Sequence, residues 1–181
     1  LKNHKRSDKR LYECLLRWMG REVFVPGTQT KTRKSRPSRK PVAGLIKEWQ
    51  IVGPFDDKAS DSLAAFAPAF AKDTKWKHIT KGFEPNRIDV QANIGEHDDC
   101  SAFVRTTVTS PKKQTVTLRL ECDDIARAVL NGQLVTGTQI ELQKGENELI
   151  LKVIDHKKGW RFTCALTRDG NPVKGLSFEA K

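Results

Sequence analysis

Seven side chains in this sequence have the chemistry to hold a sugar. Trp49, Trp76 and Trp160 offer flat apolar rings on which the C–H face of a pyranose can stack. Arg105, Arg161, Asp155 and His156 supply the charged donors and acceptors that bind hydroxyl groups. Three of them have a competing structural reading. Tryptophan is usually highly buried, so Trp49 and Trp160 also suit a core or a sheet edge, and His156 suits a surface loop.

Metal chemistry is weaker. Asp123-Asp124 are hard oxygen donors, but calcium takes about six to eight oxygens and no D-x-D-x-D pattern accompanies them. Side chains accepting backbone N–H groups in an Asx-type turn account for the pair better. His97-Asp98-Asp99-Cys100 groups metal-capable residues, yet consecutive positions of an extended chain rarely converge on one ion. No metal and no cofactor is expected. Catalytic signatures are missing as well: there is no G-x-S-x-G, H-E-x-x-H or P-loop. No carboxylate pair sits where a perturbed pKa is recognisable, so the chain is expected not to be an enzyme.

The net charge of +11 suggests a polyanion partner until it is located. The first 40 residues hold 13 Lys and Arg against three acidic residues, so +10 lies there and the remaining 141 residues carry about +1. Polyanion affinity would therefore belong to Lys31, Arg33, Lys34, Arg36, Arg39 and Lys40, and nucleic-acid binding is not expected of the rest. No apolar run approaches the ~20 residues of a membrane span, and no signal-peptide pattern is present.

The elements that must position these groups follow from periodicity. Residues 7–19 predict a helix, with Ser7 as N-cap, Gly20 just past the end, and Leu11, Cys14, Leu15 and Trp18 on one face. Residues 1–25 are read as a helical appendage whose apolar face packs either on the sandwich or on a preceding domain of which it is the tail. Residues 26–43, basic and rich in Pro, Ser and Thr, read as a linker that cannot bury enough surface to order itself. From 44 to 181 the texture is that of strands and turns. Residues 45–52 predict a strand ended by Gly53-Pro54, 62–70 a helical turn or packed loop broken by Pro68, and 75–79 a short strand. Residues 84–96 give no clear signal. Then 102–109 and 114–122 alternate with period two, Asn131-Gly132 marks a hairpin, and 139–142 follows. Residues 148–154 are apolar on both faces, as in a central strand. In 159–167, Phe162, Cys164 and Leu166 point inward, and a last strand covers 176–178. Short strands at this spacing predict a mainly β fold: an antiparallel β-sandwich or jelly roll with a short N-terminal helix and a basic linker.

The four cysteines, Cys14, Cys100, Cys122 and Cys164, lack metal-type spacing. Cys122 and Cys164 fall in phase with inward residues and read as core thiols. A bridge between them is the open alternative.

Several segments occur in an order that resembles a known family. They are Trp49-Gln50-Ile51-Val52-Gly53-Pro54-Phe55, Phe103-Val104-Arg105-Thr106 and Leu118-Arg119-Leu120-Glu121-Cys122-Asp123-Asp124. Val129-Leu130-Asn131-Gly132, residues 144–153 (KGENELILKV) and Gly159-Trp160-Arg161-Phe162 complete the series. Together they resemble the galactose-binding-like jelly-roll modules appended to large, often exported, multidomain bacterial proteins and glycan-degrading enzymes. The resemblance spans roughly 45–180. It implies a non-catalytic accessory domain of a longer polypeptide, carrying a polysaccharide ligand or packing on neighbouring domains, and an exported location. The sequence opens on Leu1 rather than Met, which fits a fragment. The family commonly has Asp-Asp-Gly before the Val-x-Leu-Asn-Gly strand. Here Ile125 replaces that glycine, and a β-branched residue resists φ > 0, so the loop is expected to differ.

Overall fold

The computed structural model describes residues 41–56, 62–157 and 159–181. The expected helix at 7–19 and most of the basic linker lie outside them.

Twelve strands form two antiparallel sheets that pack as a β-sandwich. They are β1 (Gln50–Asp56), β2 (Lys77–His78), β3 (Ile88–Asp89), β4 (Cys100–Ser110), β5 (Gln114–Cys122), β6 (Ile125–Leu130), β7 (Gln133–Leu134), β8 (Gln139–Leu142), β9 (Gly145–Asp155), β10 (Arg161–Arg168), β11 (Asn171–Pro172) and β12 (Ser177–Glu179). The larger sheet runs β2-β1-β4-β9-β6-β7, with β12 continuing the β1 edge of β4. The smaller runs β11-β10-β5-β8, with β3 also on β10.

The long β4–β9 ladder, from Cys100 opposite Asp155 to Ser110 opposite Gly145, is the spine of the larger sheet. Alternation on it sets two apolar layers. Ala102, Val104 and Val108 of β4 and Leu149, Leu151 and Val153 of β9 face the smaller sheet and meet Val116, Leu118, Phe162, Cys164 and Leu166. Phe103 and Ile150 face the other way and join Phe66, Ala69 and Val129 in a second cluster. That outer cluster is roofed by a 3₁₀ turn (Leu63–Phe66) and helix α1 (Ala67–Phe70), with the Phe66 and Phe103 rings 5.7 Å apart. It explains why 148–154 is apolar on both faces: β9 lies between β4 and β6 and carries core on each side.

Several expectations meet their structural counterparts here. Asn131 and Gly132 take φ of 50° and 77°, the pair a type I′ hairpin needs, and Leu130 pairs with Gln133 across the turn. Ile125 is not among the residues with positive φ; it opens β6 opposite Ile154, so the preceding turn does without a glycine there. Residues 84–96 contain β3 and a short helix, α2 (Gln91–Ile94).

The stretch 45–52 is corrected. It is no single strand: Leu45 bridges to Ala165 in the smaller sheet, the chain crosses, and β1 begins at Gln50 in the larger one. β1 then continues through a bulge between Val52 and Phe55 to Asp56, beyond the expected stop at Gly53-Pro54. A Cys122–Cys164 bridge is also not formed. Register places Cys122 opposite Phe162 and Cys164 opposite Leu120, and all three described cysteines are free thiols.

Candidate functional site

The seven candidates do not converge. Trp49 is 1% exposed, its indole N–H donates to the Ile46 carbonyl at 2.9 Å, and its ring stands edge-on to Phe162. Trp160 is 2% exposed and donates to the Val153 carbonyl at 3.2 Å. Neither offers a face to a ligand, so the stacking role expected of them is corrected to packing. The residue phase carried this signal: Trp160 shares the parity of Phe162, Cys164 and Leu166. Trp76 is half-buried against the outer cluster, and the Arg105 guanidinium covers its ring at 4.5 Å from the centroid. Arg105 also donates from Nε to Gln50 Oε1 at 2.8 Å.

Asp155 and His156 lie at one end of the sandwich with Asp98, Asp99, Asp123 and Asp124. Asp155 has the inward parity of Leu151 and Val153, and it is 3% exposed, on the wall of a cavity of about 420 Å³ that Asp98, Trp160 and Arg161 also line. Burial first, then the charge of Asp124 and a hydrogen bond with it, then Asp98 and Asp123, push the Asp155 carboxyl up to about 6. Asp124 Oδ2 accepts the His156 backbone N–H at 2.9 Å, and the His156 ring lies 3.5 Å from Asp99. Among the described residues no three His, Cys, Asp or Glu side chains are placed to hold a metal ion. Cys100, opposite Asp155, is likewise held as a thiol, with burial and nearby carboxylates raising it to about 11.

Arg161, which lines that cavity beside Asp155 and Trp160, is also engaged in ion pairs. With Arg87 it forms an ion network over the end of the smaller sheet: Arg161 Nε lies 3.1 Å from Glu84 and 3.6 Å from Asp89, and Asp123 sits 3.5–3.6 Å from both guanidinium groups.

This network borders a feature the sequence reading missed, an open cleft of about 560 Å³ on the outer side of the smaller sheet. Its floor is the outward residues of β5 and β10, where Thr163 pairs with Glu121, beside Arg119. One wall is the 84–87 loop, anchored by the Thr163 hydroxyl donating to the Asn86 carbonyl at 2.7 Å. The other wall is Pro41, Val42 and Ala43. These residues read from composition as the end of a linker, yet Val42 N–H donates to Asn86 Oδ1 at 2.9 Å. Outward parity puts Arg119, Glu121 and Thr163 on the face away from the core, although Thr163 is buried there under the 84–87 loop. Their grouping depends on register and on two distant segments, which parity does not reveal. The six basic residues from Lys31 to Lys40 lie outside the described residues.

No protein-family model matches the chain, and no curated protein matches it.

Proposed function

We propose that this chain is a non-catalytic, galactose-binding-like accessory module of a larger protein and that it holds an oligosaccharide along the outer cleft of its smaller sheet. The observation that carries this reading is the cleft itself. It is open, and its floor carries Arg119 and Glu121, an exposed ion pair at 2.7 Å whose donors and acceptors suit hydroxyl groups. The reading moves the ligand away from the tryptophans and leaves Trp49 and Trp160 as core. In a multidomain parent, a weak site of this kind raises the effective concentration of the neighbouring domain at its polymer. A glycan array with the wild type, Arg119→Ala and Glu121→Ala tests it. Binding that both substitutions reduce is expected; no binding to any polysaccharide overturns it.

A second reading, docking onto another domain without a small ligand, draws on the roof of the outer cluster. There Leu63 and Phe70 are 43% and 44% exposed on one short segment. The double substitution Leu63→Ser with Phe70→Ser should then abolish co-sedimentation with the parent polypeptide's other domains while leaving glycan binding intact. Unchanged co-sedimentation would remove this reading.

A further inference from the structure

The wall formed by Pro41, Val42 and Ala43 does not belong to any loop of the sandwich; it precedes the first strand. Three hydrogen bonds hold it and the residues that follow. Val42 N–H donates to Asn86 Oδ1 at 2.9 Å; Leu166 N–H donates to the Gly44 carbonyl at 3.0 Å and Ile46 N–H to the Cys164 carbonyl at 2.9 Å, the two bonds that pair Leu45 with Ala165. Gly44 makes the approach sterically feasible. Its φ is +68°, and a Cβ there would lie 2.1 Å from the Leu166 carbonyl oxygen. The 84–87 loop is tied to β10 by its own backbone, through the Asn86 carbonyl and Thr163, so removing the Asn86 side chain frees the Val42 end of the wall without releasing the loop.

We propose that Asn86 and Gly44 are positioning residues that hold residues 41–43 as a wall of the cleft, making the connector before the sandwich part of the ligand-binding surface. This rests on the carbohydrate reading of the cleft, and it adds what the buried tryptophans do not supply. Pro41 and Val42 give an apolar face against which the C–H side of a sugar can lie, across from the polar floor of Arg119 and Glu121. The ligand class is thus a neutral or weakly charged oligosaccharide, gripped between an apolar strap and a hydrogen-bonding sheet.

The test uses the full 181-residue chain and four soluble polysaccharides as probes: xylan, galactomannan, mixed-linkage β-glucan and pectic galactan. Retardation in polysaccharide-containing gels is measured for the wild type, Asn86→Ala, Asn86→Asp and Gly44→Val, with sugar-free amide exchange at Val42 and Ile46 and thermal melting alongside. Asn86→Ala should weaken retardation about five- to tenfold, as loss of one hydrogen bond implies. It should speed exchange at Val42 and leave the melting temperature close to the wild type. Asn86→Asp keeps the acceptor and should restore binding, whereas Gly44→Val should speed exchange at both amides. Unchanged exchange in Asn86→Ala and Gly44→Val overturns the positioning role. Faster exchange with undiminished retardation overturns the place of the strap in the binding surface. If the wild type itself is retarded by no probe, the carbohydrate reading fails and takes the binding role of the strap with it, an outcome visible before any variant is made. Should Gly44→Val not fold, the Asn86 pair alone decides.

Discussion

Asp155 shows how a single position can bind stability to pH. Its carboxyl rises from the ordinary 3.8 to about 6 because the native protein buries it beside Asp124, Asp98 and Asp123. The folded state therefore keeps a proton that the unfolded chain releases. That stabilisation is complete below 3.8 and is lost as pH rises through about 6, leaving an ionised, crowded carboxylate above it. Asp155→Asn, which keeps the hydrogen bond to Asp124 without the charge, should melt higher than the wild type at pH 8, by on the order of 2 kcal/mol of stability. The two proteins should melt alike at pH 3.5; a gap independent of pH would refute the assignment. Asn147 is the opposite case, a buried polar group that is fully used. It accepts from Gln143 N–H and Asn131 Nδ2 and donates to the carbonyls of Val108, Gln143 and Gly145, locking the turn into β9. Asn147→Ala strands several of these partners and should lower unfolding free energy by about 2–4 kcal/mol in urea titration.

Among the elements, the roof of residues 63–70 converts the larger sheet from a one-sided to a two-sided layer. Phe103 is its keystone, fully buried between the Phe55 and Phe66 rings at 5.4 and 5.7 Å. Phe103→Ala should cost about 3–5 kcal/mol by chemical denaturation, as truncation of a packed aromatic does. A loss under about 1 kcal/mol would mean the roof is not an integral layer. The same element shows what a sequence can and cannot disclose. Apolar residues on both faces of 148–154 announced a central strand, and Asn131-Gly132 announced its hairpin, because both signals are local and physical. Parity also bears on the candidates: Asp155 and Trp160 share the phase of inward residues and are buried, against the ligand role expected of them, whereas Arg119 has the outward phase. The partners across each strand were not legible: that Thr163 stands beside Glu121, or that Leu45 joins one sheet and Gln50 the other, follows from long-range register and a crossing that no local period encodes. The candidate site suffered most, since its floor, loop and strap come from four separated stretches of chain.

At the scale of the whole molecule, charge and fold are segregated. The first 40 residues carry nearly all of the +11, while the β-sandwich follows them. Replacing Lys31, Arg33, Lys34, Arg36, Arg39 and Lys40 together by Gln should bring elution from a heparin column to markedly lower salt, because such contacts are dominated by counterion release. Melting of the sandwich should be unaffected; unchanged elution would place the polyanion affinity elsewhere. One feature of the smaller sheet has consequences for the protein's behaviour at high concentration. β10 is eight residues long, apolar at Phe162, Cys164, Ala165 and Leu166, and bounded by Arg161 and Arg168. One of its flanks pairs with β5 from Phe162 to Thr167; the other is closed by three unconnected patches, Ile88–Asp89, Leu45 and Asn171–Pro172. A bare strand of that composition would template cross-β stacking between molecules. Closure by independent patches means that fraying of any one uncovers only a short notch between charged ends, too short to seed a fibril. The cover on this flank of β10 is therefore distributed along the strand rather than staked on a single covering strand.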